Sequence, residues 1–120
     1  MKKILIVDDN VSVRRSLSFI FDRNLYEIFE AKNGADAVKK AKENHPDLII
    51  MDFKMPVLNG WEATKQIKQL PELKTLPVLG YTAYANDAHV ASGLAAGCNE
   101  ILMKPIDINA ILEKVKEYLS

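Results

Sequence analysis

Cysteine is almost absent from this chain: Cys98 is the only one in 120 residues. An internal disulfide and a thiolate-rich metal site are therefore excluded, and a reducing compartment fits. No apolar run approaches the roughly 18 residues that a membrane span needs. The N-terminus, MKKILIVDDN, starts basic but offers only Ile4–Val7 before two aspartates, too short a core for a signal peptide. A cytoplasmic protein is expected. Neither sign of charge is in excess, with 16 Lys plus Arg against 16 Asp plus Glu. That balance argues against a general nucleic-acid surface, which needs a clustered basic face. The short run Lys39, Lys40 and Lys42 reads as the solvated face of a helix. His45 and His89 lie far apart with no partner at metal-ligand spacing, so surface or capping roles are expected.

Apolar residues make up 48% of the chain and charged residues 27%, which fits one globular domain over residues 1–120. Short branched or apolar runs at Lys3–Val7, Tyr26–Ala31, Leu48–Met51, Pro77–Tyr81 and Glu100–Met103 read as strands. Helical spacing separates them. Val13, Leu17, Ile20 and Phe21 mark a helix from Asn10 to about Arg23. Asn33-Gly34 reads as a turn before a helix over Ala35–Asn44, and His45-Pro46 stops that helix. Asn59-Gly60 reads as part of a loop, Trp61–Leu70 as the next helix, and Pro71 as its close. Asn86 or Asp87 can cap a helix to about Ala96, which Gly97 ends. Asp107 can cap the last, whose core stripe is Ile108, Ile111, Leu112, Val115 and Leu119. Five strands alternating with five helices predict an α/β fold. Right-handed crossovers put helices on both faces of one parallel sheet, doubly wound.

Four of the strand runs end in chemistry. The first meets Asp8 and Asp9, the third Asp52, the fourth Thr82, and the fifth Lys104 followed by Pro105. Open α/β sheets place ligand sites at the carboxyl edge of their strands. Three carboxylates gathered there suit a hard divalent cation such as Mg²⁺, which relieves their mutual repulsion and leaves positions for a phosphoryl oxygen. For Asp8 or Asp9 to share an ion with Asp52, the first and third strands must be neighbours. Asp9 can also cap the helix that begins near Asn10. Asp52 is the expected nucleophile, forming an acyl phosphate, with Lys104 and Thr82 contacting phosphoryl oxygens. Taken singly, Thr82 is an ordinary turn residue and Lys104 a surface lysine; the pattern distinguishes them. Trp61 is expected to pack beside the site loop, and Cys98 to behave as a small hydrophobe.

With ILIVDDN at 4–10, PDLIIMDFKMPVLNG at 46–60, Thr82-Ala83 and Lys104-Pro105, the chain resembles a response regulator receiver domain across nearly its whole length. It is similar to stand-alone chemotaxis-type regulators and to the receivers of hybrid histidine kinases. The resemblance implies a flavodoxin-like five-stranded sheet of order 2-1-3-4-5. It implies that Asp52 accepts phosphate from a phosphohistidine on a sensor histidine kinase or a histidine phosphotransfer protein. Asp8, Asp9, Asp52 and the backbone carbonyl of Lys54 would hold Mg²⁺, and Thr82 and Lys104 would contact the phosphoryl group. A downstream protein target would read the face of the fourth helix, fifth strand and fifth helix. Such a chain is a phospho-acceptor with self-catalysed phosphorylation and dephosphorylation, not a metabolic enzyme, and a monomer or weak dimer is expected.

Some positions depart from the family pattern. Ile101 stands where an aromatic is usual, three residues before Lys104, so a weaker switch is expected. Tyr84 is a possible partial substitute. Gly80-Tyr81 replaces the usual aliphatic pair and can signal a close backbone approach. Lys54 and Tyr84 stand two residues beyond the acceptor and the hydroxyl residue, where they are expected to alter dephosphorylation. A phosphorylation-independent pseudo-receiver is the alternative function. A phosphatase-like hydrolase is disfavoured because Lys54, not a carboxylate, lies two residues after Asp52. Met1 runs straight into the first strand, which favours a natural start. No output segment follows Ser120, so output through protein contact is expected if the chain is complete.

Overall fold

A computed structural model of the chain describes residues 1–53, 58–82, 87–103 and 107–119, with the side chains of 87–89 excepted. The elements in order are β1 (Lys2–Val7), α1 (Val11–Phe19), β2 (Tyr26–Ala31), α2 (Gly34–Asn44), β3 (Leu48–Asp52), α3 (Gly60–Lys68), a 3₁₀ turn (Pro71–Leu73), β4 (Val78–Thr82), α4 (Asp87–Ala96), β5 (Glu100–Met103) and α5 (Ile108–Leu119). The five strands form one parallel sheet of order β2-β1-β3-β4-β5. β1 and β3 are thus neighbours, as a shared ion demands.

Side chains alternate across the sheet, so each strand feeds two cores. Leu5, Val7, Ile49, Met51 and Val78 pack with Ala37, Ala41, Ala63 and Ile67 from α2 and α3. Ile4, Ile6, Leu48, Ile50, Leu79 and Tyr81 pack on the other face with Leu17, Ile111 and Val115 from α1 and α5. β3, the middle strand, is buried at every residue, which accounts for its nearly unbroken apolar run.

Three asparagines start helices. The side chains of Asn10, Asn33 and Asn59 accept the backbone N–H of Val13, Asp36 and Glu62. Each satisfies a donor that the first helical turn leaves open. Asn33-Gly34 and Asn59-Gly60 are therefore caps leading directly into α2 and α3, where the sequence suggests a turn and a loop. Asp9 is not the cap of α1; Asn10 is. The first helix also stops earlier than its periodicity suggests, with Ile20 as its C-cap. Asp22 then turns the chain, its carboxylate accepting Asn24 N–H and its carbonyl accepting Tyr26 N–H. Phe21 stays buried from outside the helix, edge-on to Tyr26 at 5.7 Å. His45 is the C-cap of α2 with φ 47°, an exposed capping role as expected. Pro71 opens a 3₁₀ turn rather than merely ending α3. Lys40 is not simply solvated, since its ammonium donates to the Glu30 carbonyl and pairs with Asp36 at 3.4 Å.

Gly80 has a specific reason. A Cβ there would stand 2.5 Å from Cε1 of the Phe53 ring, and one on Gly93 would stand 2.5 Å from its Cζ. The close approach is therefore by a side chain, not by backbone. The ring is buried between β4 and α4 and meets Trp61 edge-on at 5.8 Å and 88°. Ile101 lies on the same face, half-buried against this cluster. At the far end of β5, Glu100 accepts the Tyr118 hydroxyl at 2.8 Å and pairs with Lys114 at 3.1 Å. This ties α5 to the edge strand.

Two outcomes follow from these contacts. Gly80→Ala should cost about 1–3 kcal/mol, the usual penalty of overpacking. Urea denaturation reads the loss, and a Phe53→Leu background should recover part of it. The Tyr118 hydroxyl holds the Glu100 carboxyl below its ordinary 4.5. The stability it contributes is present above that ordinary value and is lost as pH falls through the folded one. Tyr118→Phe should raise the Glu100 titration midpoint in an NMR pH series; an unmoved midpoint would refute the assignment.

Candidate functional site

The pairing of β1 with β3 sets Val7 beside Met51, so the chain leaves both strands at the same level of the carboxyl edge. Asp8 follows the first strand and Asp52 ends the third. With Asp9 they form one cluster, a carboxylate oxygen from each lying within 4.8 Å of the others. Asp8 and Asp52 are buried, while Asp9 is exposed. Three like charges at this separation repel, and burial of two of them worsens the repulsion. An all-oxygen, all-anionic donor set fits a hard divalent cation better than a soft one.

Asp8 is held on every side. Its Oδ1 accepts Asn10 N–H at 2.8 Å and its Oδ2 accepts the Tyr81 hydroxyl at 2.5 Å. Its own N–H donates to the Ala31 carbonyl at 3.2 Å, and its carbonyl accepts Arg14 Nη1 at 2.8 Å. Arg14 in turn is fixed by Glu30, whose Oε1 accepts its Nε at 2.9 Å. Tyr81 is fully buried, and burial together with the nearby carboxylates pushes its phenol well above the ordinary tyrosine range. It therefore stays protonated and donates. The sequence marks Tyr81 only as a departure from an aliphatic pair; a phenol inside an otherwise apolar strand end is the signal that points to a buried acceptor.

Thr82 ends β4 at the same edge, buried, in register with Met103 of β5. After Asp52, the buried Phe53 ring anchors the chain, and Phe53 accepts Gly60 N–H at 3.0 Å through its carbonyl. The structure thus brings Asp8, Asp9 and Asp52 together and puts Thr82 on the same edge. Lys54, Tyr84 and Lys104 lie outside the described residues. Trp61 packs on Phe53, as expected of a packing residue. Cys98 is buried with its Sγ 3.7 Å from the Thr64 hydroxyl, and burial pushes its thiol up to about 11, which makes it unreactive. Among the described residues, no helix is long and apolar enough to cross a membrane.

The family described as the response regulator receiver domain matches residues 4–116. The chain is 34% identical over 118 residues to the polar-differentiation response regulator DivK of Brucella ovis, covering 98% of this chain and 96% of DivK. It superposes on the chemotaxis protein CheY4 of Vibrio cholerae with a TM-score of 0.92 at 32% identity, covering 99% of each chain. It is also similar to the receiver domain of the sensor histidine kinase PA1611 of Pseudomonas aeruginosa, with a TM-score of 0.89, 27% identity, and coverage of 98% and 96%. That structure carries a magnesium ion coordinated in its active-site cleft.

The crowding of charge yields a stability test. In EDTA, Asp9→Asn should stabilise the protein by about 1 kcal/mol, the repulsion of two unit charges at roughly 4 Å in water. A lower or unchanged melting temperature would show that the cluster is not electrostatically frustrated.

Proposed function

The chain belongs to the response regulator receiver domain family, and from that membership we propose that Asp52 accepts a phosphoryl group from a phosphohistidine. The observation behind this reading is the convergence of Asp8, Asp9 and Asp52 within 4.8 Å at the carboxyl edge of the sheet. Asp8, Asp9, Asp52 and the Lys54 carbonyl would hold Mg²⁺. When bound, the ion supplies charge neutralisation at the phosphoryl oxygens. A carboxylate oxygen of Asp52 attacks phosphorus as the bond to the histidine nitrogen breaks, its electron pair leaving with the imidazole. Thr82 donates its hydroxyl to one phosphoryl oxygen and Lys104 offers its ammonium to another. In the reverse sense, an in-line water attacks phosphorus, the acyl phosphate bond breaks, and Asp52 is restored with release of inorganic phosphate. Lys54 and Tyr84, two residues beyond Asp52 and Thr82 in the sequence, alter the rate of this dephosphorylation.

The donor is a sensor histidine kinase or a histidine phosphotransfer protein, and the chain acts in the cytoplasm as a signalling domain over residues 1–120. The target is a protein that reads the face of α4, β5 and α5. Leu94, Met103 and Ile108 support this, since each of those elements exposes one large apolar side chain. Ile101 takes the place of the ring that would follow Thr82 inward, so the switch works through aliphatic packing against the Phe53 cluster. The same residue favours the second reading, a pseudo-receiver that binds partners without phosphorylation.

Intact mass separates the two readings. With MgCl₂ and acetyl phosphate, the protein should gain one phosphoryl group, and Asp52→Ala should gain none. No gain while Mg²⁺ demonstrably binds would overturn phospho-acceptance in favour of the pseudo-receiver.

A further inference from the structure

Tyr81 lies two strands from Asp8 in the sheet order, yet it reaches the acidic cluster. It lies in β4, in register with Asp52 of β3, and β3 separates it from β1. Its side chain passes under β3 on the face of α1 and α5, among Ile6, Ile50 and Ile111, and its hydroxyl emerges at Asp8. The hydroxyl also lies 3.3 Å from the Val7 carbonyl, and the shorter 2.5 Å contact to Asp8 takes the proton. Asn10 N–H holds the second oxygen at 2.8 Å.

From this geometry we infer that Tyr81 is a positioning residue for the divalent cation, orienting the Asp8 carboxylate through its hydroxyl. The inference rests on the reading of Asp8, Asp9 and Asp52 as a cation site. Without donors, a buried carboxylate beside two others turns away from them and must be brought back when a cation arrives. With Oδ1 and Oδ2 each tied to one donor, Asp8 is already in place. Each of its oxygens keeps a second lone pair for the ion or for a water on the ion. Donors behind a metal-binding carboxylate commonly matter about 10- to 100-fold in metal affinity. The tie also makes the cation site depend on β4, the strand that ends in Thr82. Cation and hydroxyl are thus set by adjacent residues of one strand.

The test is titration of MgCl₂ into wild type, Tyr81→Phe, Asp8→Asn and the double variant by calorimetry. Phenylalanine keeps the buried ring and removes only the hydroxyl. Tyr81→Phe should bind Mg²⁺ about 10-fold more weakly. In the Asp8→Asn background it should cost nothing further, because the hydroxyl acts through Asp8. Melting in EDTA and in MgCl₂ separates positioning from packing. A positioning role shrinks the Mg²⁺-dependent rise in Tm, whereas a packing role lowers both melts equally. Wild-type affinity in Tyr81→Phe, or losses that add in the double variant, would overturn the inference while leaving the cation site intact. No Mg²⁺ binding by wild type would overturn the cation reading and this inference with it.

Discussion

The parallel pairing of β1 with β3, in a register that sets Val7 beside Met51, forces Asp8 and Asp52 to the same edge. Nothing local favours three carboxylates within 4.8 Å. The sheet imposes that closeness, because Ile4–Val7 and Leu48–Met51 are wholly buried and paired in that register. The electrostatic cost of the site is thus met by apolar burial beneath it. Crowded carboxylate oxygens of this kind suit a hard cation.

β4 serves both faces of that sheet with three successive residues. Gly80 faces α4 and leaves room for the Phe53 ring, which anchors the backbone directly after Asp52. Tyr81 faces α1 and α5 and ties Asp8 across β3. Thr82 closes the strand at the carboxyl edge. The alternation of a strand makes this division possible, since neighbouring residues point to opposite faces. Gly80 and Tyr81, odd as replacements for aliphatic residues, become intelligible as a pair. One removes a side chain so that a ring can enter, and the other carries a polar tip to a buried acceptor.

Much of the fold was legible in the sequence. The five strands and five helices fall close to where periodicity and apolar runs put them. Misjudged boundaries have a common cause in short polar side chains. Asn33 and Asn59, each followed by glycine, read equally well as turns or as helix caps, because the same amide oxygen can accept a turn N–H or a helix N–H. Asp22 ended α1 early by turning the chain where Phe21 seemed to continue the helical stripe. The acidic triad was legible because its carboxylates close two separate apolar runs, a pattern that no single strand-end aspartate makes. Tyr81 was not, because a residue in a strand names its face but not the acceptor two strands away.

By itself the sequence determined the alternation of strands and helices, the ends at which Asp8, Asp9, Asp52 and Thr82 stand, and the family whose motifs they match. Those properties are carried by local periodicity and by spacing along the chain. Only the tertiary structure decided which acceptor the Tyr81 hydroxyl meets, which ring fills the space over Gly80 and Gly93, and how Asp8 is turned. Each of these depends on a contact between residues far apart in sequence, and such contacts exist only once the sheet has brought its strands into register.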